Sequence, residues 1–260
     1  MKSSLHPANF SAFAKFHDET FEYDRLFKAA HDIGYHGVEI GGGVDKLGTP
    51  EALKEKLAGL GLEVHGYSGN VTVITHQQST EKYKQQAQEA REYGAKVLAV
   101  CGGFLPNNRR NTYEEDYDGF AENLKLSVAI AEDAGVPFAF HPHRGCIVET
   151  IAETEKILDR VPSLQLMVDT AHLQSCGADP VQFIKLFGDR IIHTHIKDYN
   201  PDNHRFCELG LGCVDLKGCL DGLVEAGYQG VLCVERDAPP ERTPEESSKI
   251  SLEYLRPWLG

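Results

Sequence analysis

The chain has 260 residues, of which 41% are hydrophobic and 25% are charged, a composition typical of a globular protein that can bury a sizeable core. Its 26 Lys and Arg against 39 Asp and Glu give a formal net charge of −13, and a field of that sign repels a phosphate backbone or an anionic lipid surface. A nucleic acid or membrane partner would need a local basic patch, and the longest basic cluster is only the pair Arg109-Arg110. Such partners are therefore not expected.

Short apolar runs alternate with helix-length segments from the N-terminus onwards. The apolar runs predict strands at Leu5 to Phe10, Tyr35 to Ile40, Leu62 to Tyr67, Ala95 to Cys101, Pro137 to His143, at the runs beginning with Leu164 and Ile191, and at Gly230 to Glu235. The segments between them predict helices at Glu22 to Ile33, Thr49 to Gly61, Ser79 to Tyr93, Tyr113 to Ala134, Thr150 to Val161, the segment opened by Asp179 and Pro180, Leu216 to Glu225, and Pro244 to Leu255. Loops are predicted at Phe104 to Asn111 and Tyr199 to Cys213.

Strands that alternate with helices pair in parallel through right-handed crossovers. Eight such units in about 250 residues is the size of a closed (β/α)8 TIM barrel, and we predict one α/β domain of this kind over residues 1–260. An open doubly wound sheet is the alternative. It would need a phosphate-binding G-x-G-x-x-G turn after the first strand, whereas Gly41-Gly42-Gly43 follows the second strand with the wrong spacing.

The cysteines and the N-terminal segment indicate the compartment. Seven Cys is an odd number and no two of them form a CxxC pair, which argues against a disulfide framework or a zinc knuckle. The first residues lack the continuous apolar core of a signal peptide, and no run of about 18 apolar residues offers a membrane span. The sequence predicts a cytoplasmic protein.

In a (β/α)8 barrel the carboxyl ends of the strands converge on one face, where catalytic residues lie. The residues predicted at these ends are mainly carboxylates and imidazoles: Glu39, His65, Cys101, His141, His143, Asp169, His172, His195, Lys197 and Glu235. Mixed oxygen and nitrogen donors suit one divalent cation and leave a position open for substrate oxygens. The strand ends therefore predict a metal-dependent enzyme, in which Glu39 is interpreted as a structural or hydrogen-bonding residue.

Two histidines lie on the seventh predicted strand. His193 and His195 share a face because strand side chains alternate, and His195, nearer the mouth, is the better candidate ligand. A ligating imidazole usually donates its other N–H to an acceptor, and Asp198 or a neighbour is expected to supply one.

Several short motifs resemble the xylose isomerase-like barrel family, which includes sugar isomerases and epimerases, hydroxypyruvate isomerase and inosose dehydratase. They are GYHGVEI (Gly34 to Ile40), VDTAH (Val168 to His172), HTHIKD (His193 to Asp198), LGLGCVDL (Leu209 to Leu216) and GYQGVLCVE (Gly227 to Glu235). The resemblance covers most of the chain and is strongest from Pro137 to Asp237. The segment HPHRGCIVE is similar to the subgroup that includes inosose dehydratase.

The resemblance implies one divalent metal ion, with Mn²⁺ expected first and Co²⁺, Mg²⁺ or Zn²⁺ as alternatives. Asp169, His195 and Glu235 match three of the family's ligands residue by residue. On strand five the commonest pattern has a Glu where this chain has His141, while many members of the HxH subgroup carry an acidic residue eight positions beyond the first His. The fourth ligand is therefore assigned to Glu149, with His141 as the rival.

The remaining roles follow from the resemblance and from position at the barrel mouth. Substrate binding is predicted for His141, His172, His65 and Arg144. Proton transfer or charge stabilisation is predicted for Glu149, Glu235, His143 and Lys197.

A cation that binds a hydroxyl and the adjacent carbonyl acidifies the carbon between them, and the enediolate formed on proton removal is stabilised electrostatically. We predict a metal-dependent isomerase or epimerase acting on a small carbohydrate. A dehydratase or lyase acting on a keto-sugar or keto-inositol is the alternative, because an extra imidazole can act as the general acid. An endonuclease IV-like DNA repair nuclease is disfavoured by the net charge, and a sugar-binding barrel without catalysis is a further alternative. The long loops after strands four and seven are candidates for contacts in a homo-oligomer.

Overall fold

The structure is a computed structural model that describes residues 1–41, 44–73, 77–104, 113–238 and 241–260. Its strands are β1 Lys2–Leu5, β2 Gly37–Ile40, β3 Glu63–Val71, β4 Leu98–Gly102, β5 Phe138–Phe140, β6 Leu166–Asp169, β7 Ile191–Ile196, β8 Asp198–Asn200, β9 Arg205–Cys207 and β10 Val231–Val234. Eight of them close into a barrel in the order β1-β10-β7-β6-β5-β4-β3-β2, and every neighbouring pair is parallel. The predicted (β/α)8 barrel is confirmed.

Helices follow the barrel strands and cover the barrel. They are α1 Ala8–Phe16, α2 Tyr23–Ile33, α3 Pro50–Gly59, α4 Gln77–Glu92, α5 Glu114–Ala134, α6 Ile151–Arg160, α7 Thr170–Ser175, α8 Pro180–Phe187, α9 Leu216–Glu225 and α10 Pro244–Leu255. Within the described residues, no helix combines the length and the apolar character needed to cross a membrane.

Local signals in the sequence set most helix boundaries. Thr150 Oγ1 accepts a hydrogen bond from the backbone N–H of Glu153, whose carboxylate accepts one from the N–H of Thr150, so this capping box begins α6. Gly34 ends α2 with φ of 99° and Gly135 ends α5 with φ of 73°, a left-handed conformation that glycine adopts without a Cβ penalty.

Several elements differ from the sequence prediction. The first strand is Lys2–Leu5 rather than Leu5 to Phe10, and residues 8–16 form α1 because Phe10 and Ala14 bury one face at helical spacing. The short helix α7 directly follows β6. The predicted loop Tyr199 to Cys213 contains most of an antiparallel hairpin of β8 and β9. Of the other predicted loop, Phe104 to Asn111, only Phe104 is among the described residues, and Arg109 and Arg110 lie outside them.

Inward-facing positions of the barrel strands change character towards the carboxyl end. A small apolar cluster of Val97, Ala99, Ala139 and Met167 is buried in the barrel. Two residues further along their strands, Ala139 is followed by His141 and Met167 by Asp169. Because strand side chains alternate, these polar residues continue the same inward face above an apolar floor.

Asp198 organises the loop that carries the hairpin. Its side chain is 1% exposed, and its two oxygens accept hydrogen bonds from the backbone N–H groups of Tyr199, Gly210, Gly212 and Val214 at 2.8 to 3.1 Å. Asp198 is therefore a structural clamp, a residue that holds the loop by accepting hydrogen bonds from its backbone. Its oxygens bind the loop rather than a ligating imidazole, whose acceptor the sequence predicts to be Asp198 or a neighbour.

Replacing Asp198 with Ala is expected to lower the free energy of unfolding by about 3 kcal/mol or more, because four backbone donors lose a charged acceptor. Urea denaturation of the two proteins measures the change. Asp202, which is exposed in the same hairpin, provides the control Asp202→Ala. A loss in Asp198→Ala no larger than in the control would contradict the clamp.

Candidate active site

Three strands bring Asp169, His195 and Glu235 together at the barrel mouth. Asp169 is the last residue of β6 and pairs in register with His195 of β7, and Glu235 directly follows β10. His195 Nδ1 lies 2.7 Å from Glu235 Oε2 and 3.8 Å from Asp169 Oδ2. One ligand atom from each residue falls within 4.8 Å of the others, and all three residues are buried.

The donor atoms of this triad fit a divalent cation. Asp169 Oδ1 caps α7 by accepting from the N–H groups of Ala171 and His172 at 3.1 and 2.9 Å, which leaves Oδ2 directed into the mouth. Asp169 Oδ2 and His195 Nδ1 are buried and make no well-aligned hydrogen bond, and their close charged neighbours are Lys197 and Glu235. Buried polar atoms are normally satisfied, and a cation bound by two carboxylates and an imidazole satisfies both.

The charge balance of the mouth also favours a cation. Lys197 Nζ lies 2.8 Å from Glu235 Oε2, 3.2 Å from Asp169 Oδ2 and 3.4 Å from Asp237 Oδ1. Among the described residues, no other lysine or arginine makes an ion pair with these three carboxylates. Within the same residues, the buried Glu39 makes ion-pair contacts only with histidines. Three carboxylates therefore share one ammonium while Glu39 pairs with imidazoles, and the excess negative charge has to be balanced by protons or by a metal.

Protonation shifts follow from this crowding. Burial alone would raise the pKa of Glu235, but Lys197 and His195 outweigh it and hold that pKa well below its usual range. Burial alone would lower the pKa of His195, but Glu235 and Glu39 outweigh it and raise the pKa to about 10 in the chain without a metal. A positive charge at this position is thus strongly favoured.

A wall of imidazoles lies beside the triad. The rings of His143 and His172 are 3.7 Å apart between centroids, and His141 lies 5.3 Å from His143 and 5.6 Å from His195. Burial, with help from His172 and Lys197, lowers the pKa of His143 to about 4, and burial holds the pKa of His141 well below its usual range. Both rings are therefore neutral at physiological pH and can accept a proton.

Hydrogen bonds fix which ring nitrogens are free. His143 Nδ1 donates to the carbonyl of Arg144 at 2.7 Å, so Nε2 carries the free lone pair. His172 Nε2 accepts from Lys197 Nζ at 3.1 Å, so Nδ1 carries the proton, and this Nδ1 is buried without a hydrogen-bond partner. The imidazoles thus offer one hydrogen-bond acceptor, His143 Nε2, and one donor, His172 Nδ1–H.

The predicted residues Glu149 and Arg144 lie away from the triad. Glu149 is half-buried, and its Oε1 accepts a hydrogen bond from the backbone N–H of Gly145. Among the described residues it joins no group of three ligand atoms within 4.8 Å. The structure therefore does not bring Glu149 together with Asp169, His195 and Glu235. Arg144 is exposed, with its guanidinium 5.3 Å from the centroid of the Phe206 ring, and so lies at the rim.

The placement of His65 near the carboxyl end of its strand is wrong. The strand β3 runs to Val71 rather than Tyr67, and His65 is its third residue. Its Nε2 lies 3.2 Å from Glu63, whose carboxylate pairs with Lys2 and Lys96 at the starts of neighbouring strands. His65 therefore lies towards the amino end of the barrel. Its assignment to substrate binding depends on a position at the carboxyl end, and that reason no longer holds.

Other residues of the mouth were missed by the sequence reasoning. Asp237 lies 3.6 Å from His172 Nε2, and the signal was its position two residues after Glu235. His6 lies 3.3 Å from Glu235 Oε1 and follows β1 directly, but the first strand was placed too late to show this. Phe206 of β9 lies 4.9 Å from His172 and 4.6 Å from Lys197 Nζ, and no signal in the predicted loop indicated it.

Fold and site together define a (β/α)8 barrel enzyme with a candidate divalent-metal centre at the carboxyl ends of its strands. The chain belongs to the xylose isomerase-like TIM barrel family, whose model matches residues 27–258. The resemblance read from the sequence motifs is thereby confirmed.

Curated relatives of similar length share the name inosose dehydratase. The protein of that name from Geobacillus kaustophilus is 24% identical to this chain, and the aligned region covers 90% of this chain and 87% of the relative. The one from Bacillus thuringiensis is 26% identical, with 87% and 86% covered.

Solved structures share the fold. The IOLI protein with a binding zinc atom is 20% identical with a TM-score of 0.77, covering 99% of this chain and 98% of that chain. The probable 3-DHS dehydratase AsbF from Bacillus anthracis is 16% identical with a TM-score of 0.83, covering 98% and 99%. L-ribulose 3-epimerase is 18% identical with a TM-score of 0.78, covering 99% and 94%.

Proposed function

We propose that the chain is a divalent-metal-dependent lyase that eliminates water from a polyhydroxylated ketone of the inosose type. The observation that carries the proposal is the pair of closely packed imidazoles, His143 and His172, beside the Asp169, His195 and Glu235 triad. An elimination needs a base for the proton on carbon and a proton for the leaving hydroxide; His143 can serve as both in turn while the adjacent His172 binds the substrate. The relatives named inosose dehydratase support the same choice.

The metal would be held by Asp169, His195 and Glu235, and when bound it supplies Lewis-acid polarisation of the ketone and a neighbouring hydroxyl. The neutral His143 accepts the proton from the carbon beside the ketone at its free Nε2. Lys197, a buried ammonium, stabilises the negative charge that develops on the ketone oxygen.

The elimination then completes without another reactant. The imidazolium of His143 returns the abstracted proton to the departing β-hydroxide, so a C–H bond and a C–O bond break, a C=C bond forms and water leaves. His172 holds a substrate hydroxyl through its otherwise unbonded Nδ1–H. The exposed guanidinium of Arg144 contacts the outer hydroxyls at the rim.

The isomerase or epimerase reading predicted first from the sequence becomes the second candidate. The epimerase folds among the solved structures favour it, and it shares the proton abstraction at His143. The two readings differ only in whether the abstracted proton returns to carbon or leaves with the hydroxide.

Incubating the Mn²⁺-loaded protein in D₂O with an inosose, and separately with D-allulose and L-ribulose, separates the two candidates. We expect mass spectrometry to show loss of water from the inosose and no change in the other two sugars. Deuterium incorporated into a sugar of unchanged formula would contradict the lyase and establish the epimerase. Cleavage of abasic DNA, run in parallel, would contradict both.

Glu149 and His141 are the two candidates for a fourth metal ligand. Glu149 Oε1 is engaged by the Gly145 backbone, whereas His141 lies among the rings of the mouth with Nδ1 contacting the carbonyl of Pro142, which leaves Nε2 free. We therefore expect His141→Ala to weaken Mn²⁺ binding and Glu149→Gln to leave it unchanged. Equilibrium dialysis with Mn²⁺ and Zn²⁺ measures both affinities and the metal preference. Loss of metal in Glu149→Gln alone would identify Glu149, and not His141, as the fourth ligand.

A further inference from the structure

Glu39, interpreted from the sequence as a structural or hydrogen-bonding residue, is a carboxylate buried inside the barrel. It lies in β2 and is 0% exposed. A buried carboxylate is costly unless its oxygens are hydrogen-bonded or paired with positive charge. Gly66 on the neighbouring strand leaves room for it, since a Cβ there would come within 3.0 Å of Glu39 Oε2. The absence of a side chain at Gly66 therefore leaves the space that the Glu39 side chain fills.

The contacts of Glu39 are with side chains from three other strands or their ends. Ser68 Oγ donates to Oε1 at 2.7 Å, and His193 Nε2 donates to Oε2 at 2.8 Å. His195 Nε2 lies 3.3 and 3.2 Å from the two carboxylate oxygens, and His6 Nε2 lies 3.5 Å from Oε1. Glu39 is thus the common acceptor of a buried imidazole cluster below the triad.

The effect of Glu39 on His195 depends on which ring nitrogen it contacts. Glu39 occupies Nε2, while Nδ1 on the other side of the ring faces Glu235 and Asp169. The carboxylate at Nε2 keeps the proton on that nitrogen, and a cation held by Asp169, His195 and Glu235 would take the place of the proton that Nδ1 shares with Glu235. His195 Nδ1 makes no well-aligned hydrogen bond, and its close neighbours are the carboxylates of Glu235 and Asp169, so it faces the position that a metal would take.

We propose that Glu39 is a positioning residue of the metal centre, which orients His195 and fixes its tautomer so that Nδ1 faces the cation. This inference rests on the proposed metal-dependent function. It adds to that function a carboxylate which touches neither the metal nor the substrate and acts through His195. A purely structural Glu39 would affect folding but would leave the affinity of the folded protein for metal unchanged.

The test compares metal binding by the full-length wild type, Glu39→Gln and the control Glu63→Gln. Glu39→Gln keeps the size of the side chain but places an amide beside His195 Nε2, and we expect Co²⁺ and Mn²⁺ affinity to fall about 10- to 100-fold. We also expect the visible absorption spectrum of the Co²⁺-loaded protein to change, because the ligand ring changes orientation. Glu63→Gln makes the same change from carboxylate to amide at the amino end of the barrel, where Glu63 pairs with Lys2 and Lys96, so its affinity and spectrum should match the wild type.

Thermal unfolding with EDTA present gives the stability of each metal-free protein and separates folding from metal binding. Wild-type affinity and an unchanged Co²⁺ spectrum in Glu39→Gln would overturn the inference. Should Glu39→Gln not fold, Glu39→Asp, which keeps the charge but shortens its reach, is measured in the same way and with the same expectation. A wild-type protein that binds neither Co²⁺ nor Mn²⁺ would instead overturn the proposed function itself, so the two failures are distinguishable.

Discussion

Asp169→Asn is expected to abolish the bound metal and to lower kcat/KM by about 1,000-fold or more, because the cation supplies several kcal/mol of charge stabilisation. The substitution divides the two functions of this side chain. The Asn Oδ1 still accepts from the N–H groups of Ala171 and His172, so the start of α7 is retained. The atom replaced by an amide nitrogen is Oδ2, which contacts His195 Nδ1 and Lys197.

The control for Asp169→Asn is Asp179→Asn. Asp179 caps α8 in the same way, with Oδ1 accepting from Val181 and Gln182 at 2.8 and 3.3 Å, but it is not part of the mouth. Metal content by plasma mass spectrometry and kcat/KM at saturating Mn²⁺ should match the wild type in Asp179→Asn and collapse in Asp169→Asn. Treating the wild type with EDTA should lower activity to the same level. Full metal content in Asp169→Asn would refute the ligand set.

The fold could be predicted because its signals are local. Apolar runs of strand length, helix caps such as Thr150 and terminal glycines such as Gly34 each act within a few residues, and their alternation implies parallel pairing. The strand boundaries were less accurate. The strand β3 continues through Ser68, Gly69 and Asn70 to Val71, a polar and glycine-containing stretch in which the apolar pattern stops before the strand does.

The site could be predicted in part, for a related reason. Asp169, His195 and Glu235 stand where strands visibly end, and the geometry brings them together. His65 was misplaced with the end of β3, and His6 was missed because β1 begins earlier than its apolar pattern indicated. The acceptor of the His195 ring is Glu39, which is distant by 156 positions in the chain, and only the closure of the barrel makes them neighbours.

Lys197→Met is expected to lower kcat by about 100- to 1,000-fold, the usual effect of removing a donor that stabilises a developing oxyanion, with a smaller change in KM. Methionine retains the length of the buried stem but cannot donate. The side chain of Lys197 is 0% exposed and lies 4.6 Å from the centroid of the Phe206 ring, so the substitution keeps its packing. Lys185→Met, at an exposed position of α8, is the control. A folded, metal-loaded Lys197→Met with wild-type kcat would exclude Lys197 from the reaction.

The same variant tests the charge balance of the mouth through stability. Without metal, Asp169, Glu235 and Asp237 lose their shared ammonium, and removing one partner of a buried ion pair costs about 3 to 5 kcal/mol. Burial alone would lower the pKa of Lys197, but Asp169, Asp237 and Glu235 outweigh it and raise that pKa above its ordinary value.

A pKa raised by folding contributes stability that is complete below the unfolded value of about 10.4 and is lost only as pH rises through the folded value. The difference in unfolding free energy between wild type and Lys197→Met, measured by urea denaturation with EDTA present, should therefore stay constant from neutral pH to about pH 9, well below that unfolded pKa. A difference that shrinks within this range would show that Lys197 is not held as an ammonium by the three carboxylates. Addition of Mn²⁺ should narrow the difference, because the cation then balances the same carboxylates.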